Sequence, residues 1–126
     1  MSGERIWLFD TTLRDGGQTR GVDFSHADKI AIASALDDIG IDYVEGGWPG
    51  ANPTDDAFFA SPPKLKNAKM VAFGMTRRGG RSTANDPGLN AVLDAEVPAA
   101  CLVGKTWDFH VETALNITFE ENLDMI

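Results

Sequence analysis

Ile6-Trp7-Leu8-Phe9-Asp10-Thr11-Thr12-Leu13-Arg14-Asp15-Gly16-Gly17-Gln18 decides how the rest of the chain is read, because it runs from four apolar residues straight into a loop dense in polar groups. Four apolar residues are too few for a helix face and suit a short strand buried on both faces, as in parallel sheets. The same signal returns at residues 43–45, 70–73 and 100–103. The spacing is roughly 30 residues, the length of one strand-plus-helix repeat.

The connecting segments read as helices. Ser25 is an N-cap, and Asp28 three residues on completes a capping-box pattern. Ile32, Leu36 and Ile39 then share one helix face, and Gly40 supplies the stop. Thr54 is expected to cap a second helix that reaches Ala60, before Pro62 and Pro63. Asp86 with Pro87 is a cap followed by a first-turn proline, and Leu89, Val92 and Leu93 form that helix's apolar stripe. Residues 107–115 read as a short helical stretch, and Thr118 with Glu121 opens a last helix that is still running at Ile126. The expectation is an α/β architecture of about four parallel βα units, half of an eight-unit barrel. Residues 1–126 would then be one partial domain of a longer polypeptide.

Bulk properties narrow the function. A net charge of −8 and no long basic stripe argue against a nucleic-acid partner. No apolar run approaches the roughly 18 residues of a membrane span, and residues 1–6 lack a basic-then-apolar leader pattern. The lone Cys101 has no internal disulfide partner, so a reducing, cytoplasmic setting is expected. Arg77, Arg78 and Arg81 lie in a glycine-rich loop. They read either as a solvated loop or as a grip on a small phosphate group, such as one on a cofactor.

In parallel α/β folds, functional groups gather where strands end. After the first strand, Arg14 offers a fork of donors for an oxyanion or carboxylate, and Asp15 is a hard oxygen ligand for a divalent cation. The competing reading is an Arg14–Asp15 ion pair that merely orders the loop, and spacing alone leaves the two open. After the second strand comes Glu45, a carboxylate too costly to bury unless paired. Arg14 is its natural partner, and Trp48 beyond it is a pocket wall or an ordinary packing residue. Thr76 and Arg77 follow the third strand. Lys105, Trp107, Asp108 and His110 follow the fourth. His110 reads as a surface or capping residue and His26 as structural. There is no HxH or HExxH pair, no CxxC, no Walker loop and no GxSxG.

The string Phe9-Asp10-Thr11-Thr12-Leu13-Arg14-Asp15-Gly16-Gly17-Gln18-Thr19 resembles the first-strand signature of the isopropylmalate/homocitrate synthase family, metal-dependent TIM (β/α)8-barrel enzymes whose wider relatives include hydroxymethylglutaryl-CoA lyase and the 2-oxo acid carboxylases. Asp42-Tyr43-Val44-Glu45-Gly46-Gly47-Trp48-Pro49-Gly50-Ala51-Asn52-Pro53 and Val103-Gly104-Lys105-Thr106-Trp107-Asp108-Phe109-His110-Val111 resemble its citramalate-synthase branch. The resemblance implies the N-terminal half of the barrel and a Claisen-type condensation of acetyl-CoA with a 2-oxo acid. With pyruvate the product is citramalate, on the way to isoleucine and leucine. It implies that Arg14 contacts the 2-oxo acid and stabilises developing negative charge, that Asp15 ligates a divalent metal (Mg, Mn or Zn), and that Gln18 and, more weakly, Glu45 lie at the substrate. The family's HxH metal pair, catalytic glutamate and C-terminal regulatory domain belong to later parts of the polypeptide. The expectations are therefore an inactive fragment, small-molecule substrates only and a homo-oligomer. The alternatives are isopropylmalate or homocitrate synthase, a C–C lyase, and a non-catalytic domain that binds a small acid or a partner.

Overall fold

A computed structural model describes residues 3–126, so the first two residues of the leader reading lie outside it. Four parallel strands form one sheet in the order β1-β2-β3-β4: β1 (Phe9–Asp10), β2 (Tyr43–Gly47), β3 (Lys69–Met75) and β4 (Ala99–Val103). Phe9 and Asp10 pair with Tyr43 and Val44, Glu45 pairs with Val71, and Phe73 pairs with Cys101. Helices follow each strand. They are α1 (His26–Asp38), α2 (Pro53–Ala60), α3 (Pro87–Asp94), the single turn α4 (Asp108–His110) and α5 (Phe119–Met125). No helix among the described residues is long and apolar enough to cross a membrane.

Helix starts follow local chemistry. Ser25 and Asp28 exchange both capping-box bonds at the head of α1. Asp86 caps α3 with Pro87 in its first turn, and Thr118 caps α5 by accepting from the Glu121 N–H. Gly40, at φ +90°, turns the chain out of α1. Asn52, not Thr54, caps α2: its side chain accepts from the Asp55 N–H, and Pro53 occupies the first helical position. The expected helix over residues 107–115 is α4 followed by a π-helical turn, Val111–Leu115, closed by Asn116 in the left-handed region.

Alternation along the strands sorts two faces. Val44, Met70 and Ala72 face the helices, where Leu13, Ala33, Phe58, Phe59, Val92 and Ala95 complete the core. Glu45, Val71, Phe73 and Cys101 occupy the other face, the side that turns inward in a closed barrel. Gly46 sits where only hydrogen fits, since a Cβ there would lie 2.5 Å from Phe58 and 2.7 Å from the Met70 sulfur.

Three expectations are corrected. The first strand is Phe9–Asp10 rather than residues 6–9. Leu8 still bonds to Asp42 and Tyr43, but Ile6, Trp7 and Leu8 have no neighbour on their other side and are exposed. The fourth strand is not buried on both faces either, because it is the opposite edge of the sheet. The helix stripes are also narrower than read. Ile39 is 75% exposed at the end of α1, and Leu93 is 74% exposed in α3, while Val92 is buried. The residues of α1 that are fully covered are Lys29, Ala33 and Asp37, one per turn along a single line.

Candidate active site

The loop that leaves β1 is wound tightly enough to aim its side chains. The N–H groups of Arg14, Asp15 and Gly16 all point at the Thr11 carbonyl, at 3.2, 2.8 and 3.2 Å. Asp10 folds its carboxylate forward onto Thr12, accepting from the backbone N–H at 2.9 Å and from the hydroxyl at 3.0 Å. Leu13 is buried in the core and pins the loop from beneath. Residues 16–18 then make one 3-10 turn, which brings Gln18 back beside Arg14.

Arg14 is the best-held side chain of this end of the sheet. Its Nε donates to Glu45 Oε2 at 2.8 Å, its Nη1 to Asp15 Oδ1 at 3.2 Å, and its guanidinium carbon lies 4.1 Å from the centre of the Phe73 ring. Phe73 is itself met edge-on by Trp48, with ring centres 5.1 Å apart. The Arg14–Asp15 ion pair that the sequence offers as a loop-ordering reading is present, and so is the expected pairing of Arg14 with Glu45. Among the described residues no hydrogen bond is made by Nη2 of Arg14, which leaves one end of the fork available.

Glu45 is wholly buried, and its second oxygen, Oε1, has no well-aligned hydrogen-bond partner. The Cys101 thiol lies close by on β4. Burial pushes that thiol above its ordinary pKa, and the Glu45 charge and hydrogen bonding add to the rise against a smaller pull from Arg14. At neutral pH Cys101 is a thiol, not a nucleophilic thiolate.

A cavity of ≈ 200 Å³ opens at the strand ends, and Arg14, Gln18, Asp23, Lys29, Trp48 and Asp55 are among the residues that line it. Of the four residues singled out in the sequence, Arg14 and Gln18 reach this cavity. Glu45 stands behind Arg14, and Asp15 faces outward with 64% of its side chain exposed. One exposed carboxylate does not make a site for a divalent ion, which takes several ligands. Among the described residues no three acidic, histidine or cysteine side chains converge to supply the others.

Two features escaped the sequence. Lys29 of α1 is only 2% exposed, forms an ion pair with Asp55 of α2, and lies 5.3 Å from the Phe58 ring. Asp55 also accepts from the Trp48 N–H at 2.8 Å and the Asn52 amide at 3.1 Å, so one carboxylate fixes the loop that carries Trp48. A lysine in a helix reads as solvated unless its partner is known, and the partner lies 26 residues away. Phe73 was read only as a strand residue. Its pairing in register with Cys101, on the Glu45 face, is what brings it under Arg14.

Residues 5–126 match the HMGL-like family. The chain is 53% identical to the (R)-citramalate synthase of Aquifex aeolicus over 98% of its own length and 24% of that protein's. It is 52% identical to that of Geobacter sulfurreducens over 96% and 23%. Its identity to the 2-isopropylmalate synthase of Pelotomaculum thermopropionicum is 35% over 96% and 23%. The chain thus spans about a quarter of the length of these curated relatives. Among solved structures it superposes on the hydroxymethylglutaryl-CoA lyase of Pseudomonas aeruginosa with a TM-score of 0.72 at 20% identity, over 96% of this chain and 39% of that one.

Proposed function

The chain belongs to the HMGL-like family, and from that premise we propose that it is the first half of a catalytic barrel that condenses acetyl-CoA with a 2-oxo acid, pyruvate being the acceptor and citramalate the product. The margin between 53% identity to a citramalate synthase and 35% to an isopropylmalate synthase supports the choice of acceptor. The observation that carries the reading is Arg14, clamped by Glu45, Asp15 and Phe73 yet with Nη2 unengaged beside a small cavity.

The chemistry follows from that geometry. When a carbon nucleophile adds to the keto carbon of a 2-oxo acid, negative charge gathers on the former carbonyl oxygen. A guanidinium already oriented by two carboxylates stabilises that oxygen without reorganising at the moment of reaction. Gln18, on the same cavity wall, is proposed to orient the substrate's carboxylate. Glu45 is a positioning residue that holds the fork through Nε. Asp15 is proposed as one ligand of a divalent cation. The described residues do not complete such a site, so the chain by itself is proposed to be inactive.

Free thiol release from acetyl-CoA, measured with a panel of 2-oxo acids, tests the reading on the chain alone and on a protein in which the barrel is complete. The expected outcome is activity with pyruvate in the complete barrel only, falling by about 10²–10³ in Arg14→Ala. Activity confined to another 2-oxo acid overturns the acceptor, and inactivity with all of them overturns the condensation.

A further inference from the structure

Trp48 is the first residue after β2, and the start of α2 holds its loop at several points. The Trp48 backbone N–H donates to Asp55 Oδ2 at 2.8 Å, the Gly50 N–H donates to Asp56 Oδ1 at 2.7 Å, and the Asn52 amide donates to Asp55 Oδ2 at 3.1 Å. The other oxygen of Asp55 is paired with Lys29 of α1, and both of these side chains are at least nine-tenths buried.

Such a pair is a poor way to stabilise a fold. Both charges lose their hydration, and apolar residues of similar volume often serve as well or better. An apolar pair, however, has no oxygen for the Trp48 N–H. The distinctive contribution of Asp55 is therefore direction: it fixes the backbone of Trp48 and with it the place of the indole.

The half-buried indole meets Phe73 edge-on, and Phe73 carries the Arg14 guanidinium 4.1 Å from its own ring centre. Trp48 lines the ≈ 200 Å³ cavity together with Arg14 and Gln18. It also borders a wider cavity of ≈ 910 Å³, lined by the segments that follow β2, β3 and β4, and common to both linings are Trp48 and Ala51. We propose that the Trp48 indole is the wall that limits the acceptor's side chain, and that Asp55 is the positioning residue that keeps this wall in place. The inference rests on the condensation reading and narrows its acceptor class. A 2-oxo acid with a methyl side chain fits beside Arg14, and a branched one meets the indole. An apolar wall of this kind discriminates by about 10–200-fold per methylene.

The test is the ratio of kcat/KM for pyruvate to that for 3-methyl-2-oxobutanoate in a complete barrel, because a ratio does not depend on how much of a variant is folded. The ratio should fall about ten-fold in Trp48→Ala and less in Trp48→Phe. Two double variants isolate Asp55 without stranding a buried charge. Lys29→Met with Asp55→Asn keeps an oxygen for the Trp48 N–H and should keep the parent ratio. Lys29→Met with Asp55→Leu removes that oxygen and should lower the ratio as Trp48→Ala does. Asp37→Ala loses three backbone hydrogen bonds outside the cavity lining, and should lose stability while keeping the ratio. An unchanged ratio in Trp48→Ala overturns the wall and leaves the reaction standing. Equal ratios in the two double variants overturn the part given to Asp55. A complete barrel inactive with every 2-oxo acid overturns the reaction alone, and the wall is then read from calorimetric binding of the same two acids. A preference for pyruvate that vanishes in Trp48→Ala upholds the wall, and equal or absent binding overturns it.

Discussion

Asp37 shows how much a single carboxylate organises here. It sits at the end of α1 and accepts from three successive backbone N–H groups, those of Lys66 at 2.6 Å, Asn67 at 2.8 Å and Ala68 at 2.6 Å, tying the lead-in to β3 onto the helix. The Ala68 bond chiefly holds its pKa below the ordinary carboxylate value. Burial works against that, and the Lys66 and Asn67 N–H groups reinforce it. For Asp86, burial is the largest influence and raises the pKa, but the N–H groups of Arg78, Leu89 and Gly88 together outweigh it and leave the value lowered. A carboxylate with a depressed folded-state pKa contributes its full stability above the unfolded value, about 3.9, and loses that stability as pH falls through the folded value. The melting temperature should therefore hold steady from neutrality down to about pH 4 and drop below it. Asp37→Ala, which strands three N–H groups, should cost on the order of 2–4 kcal/mol at neutral pH in urea unfolding and flatten that acid limb.

The start of α2 distinguishes two plausible caps. Asn52→Ala should destabilise by about 1 kcal/mol, whereas Thr54→Ala, which removes no capping bond, should stay within about 0.5 kcal/mol. The sequence reading puts this cap at Thr54, but Pro53 marks the first helical position and so places the cap at Asn52, two residues before Thr54. The same kind of local chemistry made the caps at Ser25, Asp86 and Thr118 readable in advance. What was not readable is the inward stripe of α1. Apolar residues lie on several sides of that helix, and the covered line turns out to run through Lys29, Ala33 and Asp37, whose partners are distant in sequence. Arg14 and Glu45 were legible as a pair because a buried charge at a strand end demands a partner. The Phe73 platform was not, since it depends on strand register.

At the scale of the molecule, the sheet ends in two open edges. Ile6, Trp7 and Leu8 flank one, and Leu102 and Val103 stand on the other. Exposed parallel edges of this kind invite pairing with another chain. Sedimentation at tens of micromolar, about the usual assay range, should show species heavier than 13.6 kDa. A charge at the 50%-exposed Leu102, in Leu102→Lys, should shift them towards the monomer. A monomer in the unaltered chain at that concentration overturns this expectation. The parallel four-unit order was legible from the roughly 30-residue repeat, while the wet outer strands were not, because burial belongs to neighbours that a local pattern does not contain.

The ion pair between Lys29 and Asp55 has a further use, since it joins the first two helices beneath the Trp48 loop. An acylating reagent modifies only amines it can touch. In the native chain Lys64, Lys66 and Lys69 are open to it, and Lys29 is shut away. Lys29 should therefore stay unmodified under brief treatment with an amine-reactive ester and become labelled only when the helical layer lifts off the sheet. Peptide mass spectrometry of that one site would then serve as a built-in clock for the opening of the fold.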